Sequence, residues 1–399
     1  MRTFGVEEEF LLVDAAHGVP LPLGPTVVDL GQDARITGEM KQQQIETCTR
    51  PHTDPHALAL DLVQTRATAD AAARLAGARV VALATSPRPV APVCTDGARY
   101  HEIDARFTVT STELLTCGCH VHVSVEDDEE GVAVLDRIRV WLPVLLALPS
   151  NSPFWDGADT GYSSFRWQAW SRWPMAGPTE IFGSAERYHA LVTSLLGCGG
   201  PVDLGQMYFD ARLSHHHPTV EIRVGDVCLD PDDAVLLALL TRGLVETAAR
   251  EWRQGVPPLP VPTTALRLAY WRASRFGMDE DLLHPVLGVP QDASTAAFAL
   301  LEHVRPALTD MGDAQLAGSL LRQLVARGTG CRRQRASLLL RGDLHDVVSD
   351  AVEITNATRG SLGDRHEVPV LDLRPSPLPV GARGDRDRAG TARESRHVS

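Results

Sequence analysis

Four segments of this chain alternate between polar and apolar side chains with the period of two that is typical of β-strands. Successive side chains of a strand point to opposite faces, so each segment collects its polar groups on one face. The pattern therefore predicts four strands that each have one polar and one largely apolar face. The segments are residues 3–13, 41–49, 118–125 and 218–224.

The polar faces of these strands carry carboxylates, imidazoles and an arginine. Each strand taken alone fits a sheet with one solvated face, which is common in antiparallel sheets. Together the strands favour a site, because carboxylate oxygens suit Mg²⁺ or Mn²⁺ and imidazole can join them. The residues are Glu7 and Glu9 on the first strand, Gln42, Gln44 and Glu46 on the second, His120 and His122 on the third, and Glu221 and Arg223 on the fourth.

Glu8 lies between Glu7 and Glu9 in the chain but shares its strand face with Val6 and Phe10. An unpaired carboxylate is costly to bury among apolar side chains. We therefore expect Glu8 to belong to a structural ion pair and not to be a metal ligand. The sequence contains many arginines and does not identify which of them is the partner.

Helix signals dominate the second half of the chain. Asp54-Pro55 and Asp230-Pro231 each combine a capping side chain with a proline at the first helical position. Strands do not alternate with helices at βαβ spacing, so we expect an α+β fold with a mainly antiparallel sheet. The other expected elements are a helix from 54 to about 77, a strand at 80–85, helices at 132–148, 185–196, 231–253, 263–276, 293–308, 313–327 and 343–358, and polar loops at 150–183.

The domain organisation is expected to be simple. One domain should cover residues 1–374, with a helical part from about 230 to 358. Residues 375–399 contain Pro, Gly, Arg and Asp and few apolar residues. Such a segment buries too little apolar surface to offset its ordering entropy, so a disordered tail is expected there.

The charge and the cysteines exclude several classes of protein. A formal net charge of −13 argues against a nucleic-acid-binding protein, which normally has a basic face. No apolar run reaches the roughly 18 residues needed to span a bilayer, and the N-terminus does not resemble a signal peptide. Seven cysteines without a CxxC pair suggest reduced thiols. We expect a cytoplasmic protein with no nucleic-acid or membrane partner.

Lys41 is the single lysine among 38 basic residues. The chain therefore has no GxxxxGK[ST] phosphate-binding loop. If the protein handles phosphate, then arginines, backbone amides and metal must do so.

The residues alone leave two other functions open. His120 and His122 form an HxH pair that could be half of a zinc-dependent hydrolase site, although most of the other candidate ligands are glutamates. A non-catalytic binding protein is the second alternative, but such a protein has no reason to keep a costly cluster of like charges. The histidines at 215–217 are expected to form a polar turn and not a metal site.

Five sequence motifs, taken in order, resemble those of the bacterial carboxylate–amine ligase family, also called glutamate–cysteine ligase type 2. The resemblance covers residues 3 to about 358, nearly all of the chain except the tail. The motifs are GVEEEFLLVD at 5–14, CGCHVHVSV at 117–125, NSPFWDGADTGYSSFR at 151–166, DARLSHHHPTVEIRVGDV at 210–227 and RGTGCRRQRA at 327–336.

This resemblance implies a glutamine-synthetase-like catalytic fold, in which a curved antiparallel sheet forms a funnel that binds ATP and divalent metals, Mg²⁺ or Mn²⁺. It implies ATP-dependent formation of an amide through an acyl phosphate. The expected partners are a glutamate-like carboxylic acid and an amine, and a homodimer is expected. Glutamate and cysteine are the default substrates, and a different acid and amine in a biosynthetic pathway is the alternative.

The resemblance also implies roles for individual residues. Arg223 would stabilise the transferred phosphoryl group and the acyl phosphate, with Glu221 and His120 beside it in the catalytic site. The implied metal ligands are Glu7, Glu9, Glu46, Glu221 and His120.

Other residues of the motifs are candidates for binding substrate and ATP. A guanidinium binds carboxylate in a bidentate manner, so Arg166 is a candidate clamp for the substrate carboxylate. Arg212 could bind substrate or form a structural ion pair with Asp210. The substrate-binding candidates are Arg166, Asn151, Arg212 and His122, and the ATP-binding candidates are Arg223, Arg332, Arg333 and Arg335. The alternative for Arg332, Arg333 and Arg335 is that they form the basic start of a helix and face solvent.

Overall fold

The computed structural model of this chain describes residues 1–357. The strands are β1 (Phe4–Asp14), β2 (Ile36–Gly38), β3 (Gln44–Cys48), β4 (Ala78–Val81), β5 (Gly118–Ser124), β6 (Phe154–Trp155), β7 (Ala158–Asp159), β8 (Ala211–Leu213), β9 (Thr219–Asp226), β10 (Asp281–Leu283) and β11 (Pro290–Asp292). The helices are α1 (Gly24–Gly31), α2 (Pro55–Leu75), α3 (Ala98–Phe107), α4 (Val109–Thr112), α5 (Asp128–Ile138), α6 (Leu142–Ala147), α7 (Phe165–Trp170), α8 (Ala185–Gly197), α9 (Pro231–Arg253), α10 (Thr263–Phe276), α11 (Ala293–Met311), α12 (Ala314–Arg327), α13 (Gly330–Arg341) and α14 (Leu344–Thr355).

The main sheet joins all four strands that the alternation predicts. Its order is β2-β3-β1-β5-β9-β8, and β4 pairs with the C-terminal end of β1. Every pairing in this sheet is antiparallel. The prediction of an α+β fold with an antiparallel sheet is therefore confirmed.

One face of the sheet is apolar and packs on helices. Val6, Val121 and Ile222 belong to a buried cluster on this face, and α9 packs against β1 and β5. Both helices predicted from an Asp-Pro start begin as expected. The Asp54 side chain accepts a hydrogen bond from the His56 amide, and the Asp230 side chain accepts one from the Asp232 amide.

Several boundaries differ from the sequence prediction. The expected strand at 41–49 begins only at Gln44, which leaves Gln42 outside it. The expected strand at 80–85 is β4 and ends at Val81. The expected helix at 132–148 is two helices, α5 and α6, and the second begins at Leu142 with Pro143 in its first turn. Proline has no amide hydrogen to donate and suits a helix start, which explains the interruption.

The tail prediction, residues 375–399, lies outside the described residues. Among residues 1–357, no helix is both long enough and apolar enough to cross a bilayer.

Glu8 has the ion-pair partner that its position predicts. Its carboxylate, fully buried on the apolar face, binds the Arg66 guanidinium of α2, with Oε1–Nη2 at 2.5 Å and Oε2–Nε at 2.9 Å. Arg66 also donates to the carbonyls of Cys228 and Leu229, at 2.7 and 3.3 Å. The pair joins β1 to α2 and to the segment after β9, so its role is structural.

Replacing Arg66 with methionine should lower the free energy of unfolding by about 3–5 kcal/mol, because the Glu8 charge then stays buried without a partner. Urea unfolding curves measure this loss. The double variant Arg66→Met/Glu8→Leu should recover most of it, since no buried charge remains. A double variant no more stable than Arg66→Met would contradict this account.

Candidate functional site

The polar face of the sheet opens onto a cavity of about 300 Å³. The strand register places the predicted residues opposite one another across the sheet. The directly facing pairs are Glu9 with Glu46, Glu7 with His120, His122 with Glu221, and Arg212 with Glu221. All of these residues line the cavity together with Arg223. The sheet therefore gathers every predicted metal ligand in one place.

The carboxylates and imidazoles form three groups that could each hold a cation. Within each group the ligand atoms lie within 4.8 Å of one another. The groups are Glu7, Glu46 and His120; Glu7, His122 and Glu221; and Glu9, Glu39 and Glu46. Since most of these donors are carboxylate oxygens, the set fits Mg²⁺ or Mn²⁺ better than zinc.

Glu39 is a candidate ligand that the sequence interpretation missed. It follows β2 in a connecting segment, where no strand alternation indicates the direction of its side chain. Glu39 reaches the cavity because β2 pairs with β3, which carries Glu46. Its only sequence signal is that it lies seven residues before Glu46 in the segment GEMKQQQIE.

The electrostatics of the cavity differ between its two sides. Burial raises the pKa of Glu39 to about 7, and the charge of Glu9 adds to this effect. Burial and the charge of Glu7 raise the pKa of Glu46. Burial acts in the same direction on Glu7, but hydrogen bonds from His120 and His122 outweigh it and lower the pKa of that carboxyl. The charge of Arg223 acts in the opposite direction at Glu39 and Glu46 but does not outweigh burial and the neighbouring carboxylates.

The imidazoles keep capacity for a further ligand. His120 is buried, and its Nδ1 lies 3.4 Å from Glu7 Oε2. Its Nε2 is buried and makes no hydrogen bond to any of residues 1–357. A buried polar atom without a partner is unusual in a folded protein. The residues of this cavity therefore fit a bound divalent cation.

Two arginines bind Glu221 from opposite sides. Arg212 donates to Glu221 through Nε at 2.7 Å and Nη2 at 3.3 Å, and Arg223 Nη1 contacts Glu221 Oε1. The Nη1 of Arg212 donates to the carbonyls of Gly205 and Met207. Arg212 lines the cavity. Because its nitrogens already donate to Glu221 and to backbone carbonyls, its position favours orienting Glu221 over binding substrate. The alternative ion pair between Arg212 and Asp210 is not formed.

Asn151 does not lie on the cavity wall. Its side-chain amide donates to the carbonyls of Ala82 and Val227, both at 2.8 Å, and its Oδ1 accepts from Gln334. Its backbone amide donates to Asp226 at 2.8 Å. Since every polar group of the side chain is bonded and buried, its position supports a structural role and not substrate binding.

Arg166 lies behind the cavity wall. It is buried, and its guanidinium lies so close to Gly118 that a Cβ there would be 2.3 Å from Nη2. Arg166 donates only long hydrogen bonds, of 3.4 Å, to the carbonyls of Arg223 and Val224. It supports the strand that carries Arg223, and its position does not favour clamping a substrate carboxylate.

The three arginines at 332–335 are also absent from the residues that line the cavity. They lie within α13, whose N-cap is Thr329. Arg335 pairs with Asp159 at 2.7 Å, and Arg333 lies 3.6 Å from Asp230. The positions of Arg333 and Arg335 favour structural ion pairs over contact with ATP at this cavity.

The far end of the cavity has an aromatic wall that the sequence interpretation missed. Tyr100, Trp170, Trp173 and Tyr208 line it, and the Trp170 and Trp173 rings lie 4.6 and 5.2 Å from the Tyr208 ring. These residues come from α3, the segment around α7 and the loop before β8. The composition contained no signal for this wall, because aromatic residues make up only 5% of the chain.

Asp210 is buried beneath this end, next to the Trp167 indole, whose N–H donates to it at 3.4 Å. Burial raises the pKa of Asp210 from 3.8 to about 7. The folded protein therefore holds a proton between these pH values that the unfolded chain releases. This contribution to stability is present below pH 4 and is lost as the pH rises through about 7.

The variant Asp210→Asn should remove this loss, because an amide of the same shape has no charge to bury. The free energy of unfolding of the wild type should fall by up to about 1.4 kcal/mol per pH unit relative to the variant between pH 4 and 7. Urea unfolding at pH 5 and pH 8 measures the difference. Parallel pH profiles for the two proteins would contradict the assignment.

Comparison with known proteins gives consistent results. The family model for glutamate-cysteine ligase family 2 (GCS2) matches residues 3–351. A protein of Paenarthrobacter aurescens named "Putative glutamate--cysteine ligase 2-1" is 49% identical over 381 residues, which cover 93% of this chain and 98% of the relative. A protein of Streptomyces avermitilis with the same name is 51% identical over 361 residues, covering 89% and 99%.

Two solved structures share the fold. The glutamate–cysteine ligase of Francisella tularensis, solved in complex with AMP, has a TM-score of 0.62 and 13% identity, and the match covers 89% of this chain and 88% of that chain. A bifunctional glutathione synthetase of Pasteurella multocida has a TM-score of 0.66 and 13% identity, covering 89% and 52%. These neighbours confirm the fold that the motif resemblance implied.

Proposed function

Because this chain belongs to glutamate-cysteine ligase family 2, we propose that it is an ATP-dependent carboxylate–amine ligase that works through an acyl phosphate. One observation carries the proposal. The sheet brings Glu7, Glu9, Glu39 and Glu46 into the same cavity as the buried cation Arg223. This combination suits phosphoryl transfer, which needs neutralisation of charge and positioning more than covalent help from the protein.

The residues that would hold Mg²⁺ or Mn²⁺ are those of the three groups, including the added ligand Glu39. A divalent cation held by these residues would neutralise negative charge on phosphate. His120 and His122 keep Glu7 ionised through their hydrogen bonds. The protein therefore holds at least one ligand deprotonated before a cation arrives.

Arg223 would stabilise the charge that develops on the transferred phosphoryl group and on the acyl phosphate. Burial lowers the pKa of Arg223, but the charges of Glu221 and Glu9 outweigh it and keep the guanidinium a cation. Glu221, held in turn by Arg212, fixes its direction. A cation fixed before the reaction needs no reorganisation in the transition state, which is where such a group lowers the barrier most.

The amine would approach from the aromatic end of the cavity. Glutamate and cysteine remain the default substrates of the proposal, and the wall of Tyr100, Trp170, Trp173 and Tyr208 is a reason to include amines with apolar or aromatic side chains. The homodimer remains a prediction from the resemblance, and sedimentation equilibrium would measure it.

The proposal is tested by trapping the activated acid with hydroxylamine. Hydroxylamine is small enough to react without a dedicated amine pocket, so hydroxamate should form when ATP, Mg²⁺ and the correct acid are all present. ADP release in a panel of acids and amines then identifies the pair. Absence of hydroxamate and of ADP across a broad panel of carboxylic acids would refute the proposal. Zinc-dependent hydrolysis of a substrate in the absence of any nucleotide would favour the hydrolase built on His120 and His122.

A further inference from the structure

Lys41 occupies an unusual position for the single lysine of this chain. It lies between β2 and β3, in the wall of the cavity, and is only 3% exposed. Other fully buried cations, such as Arg66 and Arg242, are arginines. Among 38 basic residues the chain has one lysine, so a general preference for lysine does not explain its presence here. The ammonium of a lysine is compact and interacts with its partner as a point charge.

The partner of Lys41 is on a different segment. Its Nζ lies 3.2 Å from Asp104 Oδ1 on α3. Asp104 also accepts a hydrogen bond from the Ser111 hydroxyl on α4. One carboxylate therefore ties both short helices to the lysine. We refer to residues 98–112, which comprise α3 and α4, as the α3–α4 segment.

The lysine itself stands on a rigid support. The amide of Gln42 donates to the carbonyl of Val93 at 2.8 Å, and the amide of Thr95 donates to the carbonyl of Met40 at 2.9 Å. The Thr95 hydroxyl donates to the carbonyl of Glu39 at 2.6 Å. Backbone hydrogen bonds thus hold both sides of Lys41, and its charge can serve as a fixed anchor for the α3–α4 segment.

The opposite edge of the α3–α4 segment is held by arginines. Arg99 Nε lies 2.5 Å from Asp203 Oδ2. Arg106 Nη1 donates to three consecutive carbonyls, those of residues 199–201, at 2.9, 3.0 and 3.1 Å. Thr108, which joins α3 to α4, has a φ of 47°, a left-handed conformation that is rare for a β-branched residue. Polar contacts therefore hold both edges of the segment, while Ile103 and Phe107 pack its middle against Trp173 and the apolar cluster beneath it.

The α3–α4 segment contributes Arg99, Tyr100 and Ser111 to the cavity wall. Of these residues, Tyr100 belongs to the aromatic end of the cavity. Because Tyr100 is on the helix that the Lys41–Asp104 contact holds, loss of this contact should shift the tyrosine. It should not disturb Glu7, Glu9 or Arg223, which are on the main sheet.

We propose that Lys41 is a positioning residue for the amine: through Asp104 it holds the α3–α4 segment against the cavity, so that Tyr100 completes the aromatic end. This inference rests on the proposed ligase function. Lys41 then affects binding of the amine and does not affect activation of the acid. The contact with Asp104 can be tested without any catalytic assay.

The first experiment uses the single lysine as a chemical reporter. Formaldehyde and cyanoborohydride dimethylate deprotonated amines, and in this chain only the ε-amine of Lys41 and the α-amine of Met1 can react. Mass spectrometry of peptides follows both sites, and Met1, which is exposed, is the control within each sample. The variant Asp104→Asn should raise the Lys41 rate relative to Met1 by about tenfold, because a coupling of this size is typical of contacting residues. An unchanged ratio would overturn the proposed contact.

The second experiment separates amine binding from activation of the acid. In Lys41→Met, the KM for the amine should rise about tenfold, whereas the rate of hydroxamate formation at saturating hydroxylamine should stay within about twofold of the wild type. Asp104→Asn should change the amine KM and the hydroxamate rate in the same way as Lys41→Met. The double variant Lys41→Met/Asp104→Asn should have an amine KM no higher than that of either single variant. Arg305→Met, which breaks an exposed pair with Glu302, is the control that should leave both rates unchanged.

The outcomes separate the two proposals. Equal losses of amide and hydroxamate formation in Lys41→Met would overturn the positioning role, since the lysine would then act on acid activation. An unchanged amine KM would also overturn it. If the wild type forms no hydroxamate with any acid, the ligase function fails and the amine role of Lys41 fails with it. The labelling ratio would still decide whether Asp104 holds the lysine. A melting temperature near that of the wild type confirms that each variant is folded.

Discussion

Replacing Arg223 with methionine is expected to lower kcat for amide formation by about 10³-fold or more, the range measured for arginines that stabilise phosphoryl transfer. The guanidinium is buried among Glu221, Glu9 and Glu7, and these carboxylates keep it charged. Its contribution should be largest in the transition state, so the KM for ATP should change little. Initial rates of ADP release with saturating substrates measure the effect.

The matched control for this prediction is Arg212→Met. Arg212 pairs with the same carboxylate, Glu221, but its remaining donors bind backbone carbonyls. Its loss should affect the reaction only through the orientation of Glu221, by about tenfold. Equal losses in the two variants would mean that the charge balance of the cavity, and not the position of Arg223, determines the rate.

The second large effect is expected for Glu46→Gln. Glu46 belongs to two of the three groups of candidate ligands. Mn²⁺ at about one hundred times its dissociation constant should stabilise the wild type by about 2.7 kcal/mol. In the variant the affinity should fall by about 10–100-fold, which lowers this stabilisation to between about 1.4 and about 0.4 kcal/mol. Thermal unfolding with and without Mn²⁺ measures both quantities.

Without metal, the same variant should be more stable than the wild type. Burial and the charges of Glu7 and Glu39 raise the pKa of Glu46, which shows that a negative charge there is unfavourable in the folded protein. An amide removes that cost. The control is Glu113→Gln, which alters an exposed pair with Arg172 and should respond to Mn²⁺ as the wild type does. Equal Mn²⁺ stabilisation of Glu46→Gln and the wild type would refute the assignment of Glu46 as a ligand.

Period-two alternation predicted which side chains share one face of the sheet, because it depends only on the local backbone. A side chain on a strand points to the face opposite its neighbour, whatever lies across the sheet. The sequence therefore separated Glu8 from Glu7 and Glu9 and placed His120 with His122 and Glu221 with Arg223. Helices that begin at Asp54 and Asp230 were also predictable, because capping and proline act within one turn.

Local patterns do not predict where side chains in loops and helices point, for a physical reason. The direction of Asn151, Arg166 or Arg335 depends on segments far away in the chain, such as the carbonyls of Ala82 and Val224 or the carboxylate of Asp159. A motif can mark these residues as important without showing whether they face the cavity. In this fold none of the three is among the residues that line the cavity.

By itself, the sequence of this protein determined which side chains share a strand face, where the main helices begin and that Glu8 needs a buried cation. Tertiary structure alone decided that Arg66 is that cation, that Glu39 joins Glu46, that four aromatic residues close one end of the cavity and that Lys41 meets Asp104. The first set follows from backbone geometry over a few residues. The second depends on strand register and on packing between segments distant in the chain, which local patterns do not encode.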